Sequence, residues 1–151
     1  MEYAQARGLV IQVVLEDDSA WRDYDHERYY REIIARFGWL PAVTFNFCEE
    51  YNERYTLAEA LEYMRTFARL DPYRHPRAIH NVNTPEDAYD LELTSIQTED
   101  QTPAELNALA VAWRRKKPNT VVSFDEARPA ARQIWWSVYM GGGMWESYVP
   151  L

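Results

Sequence analysis

Two glutamates that each follow a predicted strand, Glu50 and Glu126, are the residues most able to do chemistry as a pair. Hydrolysis of a glycosidic bond needs one carboxylic acid to protonate the leaving oxygen and one carboxylate to attack the anomeric carbon or activate water. Burial against aromatic rings and mutual repulsion would raise the pKa of one of the two, which would keep that group protonated. Carboxylates at such positions also cap helices or bind Mg²⁺, so the pair alone leaves those alternatives open.

Alternating strands and helices must position these glutamates. Short apolar runs predict strands at residues 9–15, 42–47, 78–82, 91–96, 120–124 and 144–149. Capping boxes at Thr56/Glu59 and Thr102/Glu105 begin two of the intervening helices. This alternation predicts an α/β fold with parallel strands.

Polar or aromatic residues lie at the end of every predicted strand, inside it or just after it, and they supply the candidate binding residues. These candidates are Glu49, His80, Asn81, Gln97, Asp125 and Trp145. In an open sheet, the ligand binds where the strand order reverses, so only the strands beside that point need polar residues at their ends. In a barrel, the carboxyl ends of all strands converge on one opening. The pattern therefore favours TIM-barrel-like (β/α) units with about six strands.

Composition limits the function classes. The chain has 151 residues, 47% of them hydrophobic, and a net charge of −8, which predicts one domain over residues 1–151 and argues against a nucleic-acid surface. No apolar run is long enough for a membrane span, and no leader is visible, so a cytoplasmic location is expected. Cys48 is the single cysteine, which excludes a multi-cysteine metal site; neither a metal nor another cofactor is expected. The 6 Trp and 11 Tyr suit a carbohydrate or small-molecule cleft, and they suit a hydrophobic core equally.

Two segments carry a family resemblance. Residues 45–50 (FNFCEE) resemble the strand-four motif of retaining (β/α)8 glycoside hydrolases of the cellulase-like clan, and residues 121–126 (VVSFDE) resemble the strand-seven segment. Trp145 matches the strand-eight aromatic residue, and the combination looks most like the apiosidase-like catalytic barrels. The resemblance implies a retaining glycosidase with Glu50 as acid/base and Glu126 as nucleophile. The candidate binding residues would then position the carbohydrate substrate.

The sequence also departs from that family. Glu49 stands where the family has Asn, so either Glu49 or Glu50 could be the acid. Such barrels have eight βα units, whereas this sequence predicts six strands, so the first two units would be missing and the (β/α)8 barrel incomplete. Unpaired edges at residues 9–15 and 144–149 predict self-association into a homo-oligomer.

Two alternatives belong to other function classes. One is a non-catalytic, oligomerising barrel fragment with residual sugar binding. The other is a Mg²⁺-dependent phosphate enzyme that uses Asp17, Asp18 and Asp125 on an open α/β sheet. His26 and His75, which are flanked by charged residues and proline, are expected on the surface.

Overall fold

The computed structural model describes residues 1–17, 23–81, 91–98, 101–127 and 132–147. The described helices are α1 (Glu2–Gln5), α2 (His26–Phe37), α3 (Leu57–Leu70), α4 (Pro103–Lys116) and α5 (Arg132–Gly141). The described strands are β1 (Ile11–Glu16), β2 (Val43–Cys48), β3 (Arg77–Ala78), β4 (His80–Asn81), β5 (Ser95–Gln97), β6 (Ser123–Ala127) and β7 (Met144–Ser147). A 3-10 turn, Tyr51–Glu53, lies between β2 and α3.

All strand pairs are parallel, as the predicted α/β class requires. The strand orders are β1-β2-β3 in one sheet and β4-β5-β6-β7 in the other. Within the described ranges, no strand pairing closes either sheet into a barrel, so the fold is a set of parallel α/β units without observed closure. The chain divides into two compact units, residues 1–79 and residues 80–151.

The first unit packs helices α2 and α3 against the central strand β2. Phe45 and Phe47 on β2 are fully buried, and the Phe45 ring lies 4.6 Å from that of Phe67 on α3. Tyr30 on α2 meets the same Phe67 ring edge-on at 5.4 Å. Each such aromatic side chain contributes about 1.5–3 kcal/mol through burial, so this aromatic cluster holds the carboxyl end of β2 in place.

The second unit packs α4 and α5 together beside strands β5 and β6. Ile96 and Phe124 pair in register and are buried, and Leu106, Ala110 and Trp113 form the buried stripe of α4. A Cβ atom added at Gly141 would lie 2.9 Å from the Cβ of Ala110, so glycine allows the close approach of α5 to α4.

Both predicted capping boxes are present. The Thr56 hydroxyl accepts from the Glu59 amide at 3.3 Å, and the Glu59 carboxylate accepts from the Thr56 amide at 2.7 Å. Thr102 and Glu105 repeat this arrangement, in which the backbone hydrogen bond from Thr102 lowers the pKa of the Glu105 carboxyl. In the described part of the chain, no helix is long and apolar enough to cross a bilayer.

Most described strands extend further toward the carboxyl side than their apolar runs predict. Strand β1 includes Glu16, β5 includes Gln97, and β6 includes Asp125 and Glu126. The predicted strand 78–82 is observed as the two short strands β3 and β4, and its last residue lies outside the described residues. Neighbouring strands supply hydrogen-bond partners for the polar residues, which therefore complete strands rather than follow them.

Candidate functional site

Glu49 and Glu50 follow strand β2 directly, and both are half-buried. The Glu49 amide donates to the backbone oxygen of Glu16 at the end of β1, at 3.1 Å. Glu50 has φ 36° and ψ 52°, a left-handed conformation that is uncommon for a residue other than glycine. Such conformations persist only where the surrounding contacts fix them, and they concentrate at functional sites.

A buried carboxylate at the end of β1, Glu16, is a feature that the sequence reasoning did not select as a site. Its side chain is 1% exposed, and one carboxylate oxygen, Oε2, accepts from the Tyr55 hydroxyl. The other, Oε1, lies 3.1 Å from Nε2 of His26, a contact that lacks hydrogen-bond geometry. Burial, reinforced by hydrogen bonds to Glu16, raises the pKa of both Tyr24 and Tyr55, so both hydroxyls remain protonated.

Aromatic rings enclose His26, which corrects the prediction that this histidine is a surface residue. Its ring stacks between Tyr24 and Tyr63, with centroid distances of 4.1 and 4.2 Å. His75 is buried, with Nδ1 2.9 Å from Asp71 and Nε2 3.2 Å from the Leu40 carbonyl. The charged neighbours of these histidines in sequence were misleading because the fold packs aromatic rings around His26 and places Asp71 and the Leu40 carbonyl against His75.

Glu16 had one usable signal in the sequence, its position immediately after the run LVIQVVL. The position of its partner Tyr55 in the sequence gives no comparable indication. Tyr55 follows the next strand by seven positions, and nothing in the spacing indicates that its hydroxyl returns to β1.

In the second unit, a hydrogen-bonded network surrounds Asp125. One carboxylate oxygen of Asp125, Oδ2, accepts from the Ser95 hydroxyl, and the other, Oδ1, accepts from the Ser123 hydroxyl at 2.7 Å. Nδ1 of His80 lies 3.1 Å from Ser95 Oγ. All four residues are buried. Strands β4, β5 and β6 thus bring together three of the predicted binding residues, because Gln97 pairs in register with Asp125.

The network influences the protonation of His80. Burial lowers the pKa of this imidazole below its ordinary value, because an apolar environment disfavours the charged form. The Asp125 charge and a hydrogen bond with Gln97 act in the opposite direction, but burial is the larger effect. The His80 side chain is therefore neutral at physiological pH.

For the remaining predicted site residues, the structure gives backbone positions. Asn81 ends β4 and pairs with Ile96, Glu126 lies in β6, and Trp145 pairs in register with Phe124. The side chains of Asn81, Glu126 and Trp145 lie outside the described part of the structure. Glu126 nevertheless follows Asp125 directly in a strand whose backbone is paired on both sides.

The predicted magnesium alternative depends partly on Asp18, which lies outside the described residues. Asp17 is exposed, and both carboxylate oxygens of Asp125 accept hydrogen bonds from serine hydroxyls. In the ranges that the structure describes, no group of three or more His, Cys, Asp and Glu side chains is arranged to hold a metal ion.

A surface cavity of about 330 Å³ lies elsewhere in the second unit. Its lining residues are Leu91, Glu92, Lys116, Lys117, Pro118, Asn119 and Thr120. These residues precede strands β5 and β6 or end helix α4. The carboxyl ends of the strands, where α/β folds place their chemistry, lie at the other edge of the sheet.

Known structures share this fold at low sequence identity. The structure of XacCel5A in complex with cellopentaose matches 97% of this chain at a TM-score of 0.62 and 10% identity. The Bacillus subtilis YkuI protein, which has an EAL domain and was crystallised with c-di-GMP and calcium, matches 93% at a TM-score of 0.59 and 13% identity. The chain spans 64% of the XacCel5A chain and 37% of the YkuI chain. No protein-family model and no curated protein matches the sequence.

The likeness shows that this chain shares a fold of parallel strands and helices with these two structures. At this level of identity it establishes the fold alone.

Proposed function

We propose that this chain carries the catalytic part of a retaining glycoside hydrolase, with Glu50 as the acid/base and Glu126 as the nucleophile. The observation that carries the proposal is the position of these two glutamates in a cellulase-like fold: Glu50 follows strand β2, and Glu126 lies in β6. The carboxyl ends of parallel strands are where barrels of this type place their reacting groups. The cellopentaose of XacCel5A makes a β-linked glucose oligomer the first substrate class to test.

The proposed reaction has two steps. In the first, the Glu126 carboxylate forms a bond to the anomeric carbon while the Glu50 carboxyl gives its proton to the leaving glycosidic oxygen, and the bond between that carbon and that oxygen breaks. In the second, water attacks the anomeric carbon and gives a proton to the Glu50 carboxylate, and the bond to Glu126 breaks. The two inversions give net retention, and both carboxyl groups return to their starting protonation states.

The conformation of Glu50 supports its role as the acid. The backbone of Glu50 is held in one uncommon conformation, so the point from which its half-buried side chain extends is fixed before a substrate binds. Glu49, His80, Asn81, Gln97, Asp125 and Trp145 would position the sugar. Asp125 would do so indirectly, since its carboxylate oxygens already accept the hydroxyls of Ser95 and Ser123.

Hydrolysis of dinitrophenyl β-cellobioside tests the proposal in the wild-type chain and in Glu126→Gln, Glu50→Gln and Glu53→Gln. We expect Glu126→Gln to abolish turnover with the fold intact by circular dichroism. Glu53, an exposed residue of the 3-10 turn after Glu50, is the matched control and should leave the rate unchanged. Glu126→Gln with wild-type activity would contradict the proposal. Calorimetric binding of cellopentaose without turnover would select the non-catalytic sugar-binding alternative.

A further inference from the structure

We infer that Glu16 is a positioning residue that fixes the Glu50 loop, residues 49–55, at both of its ends. This inference rests on the proposed function of Glu50. At the start of the loop, the Glu49 amide donates to the backbone oxygen of Glu16 at 3.1 Å. At its end, the Tyr55 hydroxyl donates to the Glu16 carboxylate. One residue at the end of β1 therefore holds both the entry and the exit of the loop.

The interior of the Glu50 loop is tightly bonded between these two contacts. The Glu53 amide donates to the Glu50 oxygen at 2.9 Å, and the Tyr55 amide donates to the Tyr51 oxygen at 2.8 Å. Tyr51 and Tyr55 are buried. Because the residues on both sides of Glu50 are fixed by these bonds, Glu50 cannot readily leave its left-handed backbone conformation while the contacts with Glu16 persist.

The surroundings of Glu16 make the Tyr55 contact strong. A hydrogen bond to a charged acceptor contributes more than one between neutral groups, and burial removes the competing water. Oε1 of Glu16 faces His26, which is stacked between Tyr24 and Tyr63. On this side the carboxylate therefore lies against a ring that is not part of the Glu50 loop.

A Tyr55→Phe variant removes the contact at the loop exit with the smallest change in packing. Tyr29→Phe is the matched control, because the Tyr29 hydroxyl donates to the Leu15 backbone oxygen at 2.9 Å, on the same strand, and not to the Glu16 carboxylate. We expect amide hydrogen exchange at Glu49, Glu53 and residue 55 to accelerate roughly tenfold in Tyr55→Phe, as the loss of a bond to a charged group predicts. Tyr29→Phe should leave these three amides unchanged.

The second readout compares leaving groups. Protonation by Glu50 matters most for a poor leaving group, so Tyr55→Phe should slow phenyl β-cellobioside hydrolysis roughly tenfold more than dinitrophenyl β-cellobioside hydrolysis. A loss of folded protein would instead lower both rates by the same factor. Glu16→Gln keeps the side-chain volume and should produce the same two effects if Tyr55→Phe does not fold.

The outcomes separate this inference from the proposed function. Absence of wild-type turnover contradicts the proposed function, and the exchange experiment then decides whether Glu16 fixes the loop. Unchanged exchange of the loop amides overturns the inference in every case. If the wild-type chain is active and Tyr55→Phe lowers the hydrolysis rates of the phenyl and the dinitrophenyl substrate by the same factor, the inference is also overturned.

Discussion

The Ser95 hydroxyl donates to the Asp125 carboxylate on the neighbouring parallel strand, and this bond determines how His80 is protonated. A serine hydroxyl has a single hydrogen, so once Asp125 accepts it, Ser95 Oγ can only accept from Nδ1 of His80, 3.1 Å away. Because burial lowers the pKa of His80, the ring is neutral and carries its proton on Nδ1. Asp125, Ser95 and His80 therefore form one directed hydrogen-bond chain across three strands.

Removal of the central hydroxyl should weaken the second unit. Ser95→Ala leaves the buried Asp125 carboxylate with the Ser123 donor and without the Ser95 donor, and we expect a loss of about 1–3 kcal/mol in the free energy of unfolding. Urea denaturation followed by circular dichroism measures this loss. A change below about 0.5 kcal/mol would show that the hydrogen bond makes no net contribution.

Stability should depend on pH through His80. The folded state disfavours the charged imidazole, so as the pH falls below about 6.5 the unfolded state binds a proton that the folded state does not bind, and the free energy of unfolding falls. This contribution is present above the unfolded-state pKa and is lost toward lower pH. An NMR titration of the His80 ring should give a pKa below 6.5, and a value at or above 6.5 would contradict the assignment.

Gly141→Ala should destabilise the packing of α5 on α4 although alanine favours helix. The added Cβ would lie 2.9 Å from the Ala110 Cβ and 3.0 Å from the Asn107 backbone oxygen, so the helices would have to separate. We expect a net loss of about 1–3 kcal/mol in urea denaturation. Unchanged or increased stability would mean that α4 and α5 can move apart at little cost.

Self-association remains a prediction, and an exposed strand edge in the structure is the place to test it. Strand β1 lies at the edge of its sheet, and Val10 and Val14 are 59% and 38% exposed. We expect light scattering at micromolar concentration to give a mass above the 17.9 kDa of one chain, and Val10→Lys to lower it by placing a charge at this edge. A monodisperse wild-type monomer would contradict the prediction.

Local chemistry made much of the fold predictable. The capping boxes at Thr56 and Thr102 fix helix starts through bonds within four residues, so sequence alone located them. The ends of β1 and β6 were misplaced because the side chains of Glu16 and Asp125 accept hydrogen bonds from residues distant in sequence, Tyr55 and Ser95. A buried polar residue makes its hydrogen bonds with residues that only the folded chain brings near it, so the sequence around that residue does not predict them.

The most direct test of the catalytic assignment is the covalent intermediate. A dinitrophenyl β-cellobioside that carries fluorine in place of the hydroxyl beside the anomeric carbon slows both steps, and its good leaving group keeps the first step fast enough for the intermediate to accumulate. Mass spectrometry of the wild-type chain should show one added fluorinated cellobiosyl group, located on Glu126 after proteolysis and absent from Glu126→Gln. A label on another residue, or turnover of the unfluorinated substrate with no label at all, would contradict the role of Glu126 as nucleophile.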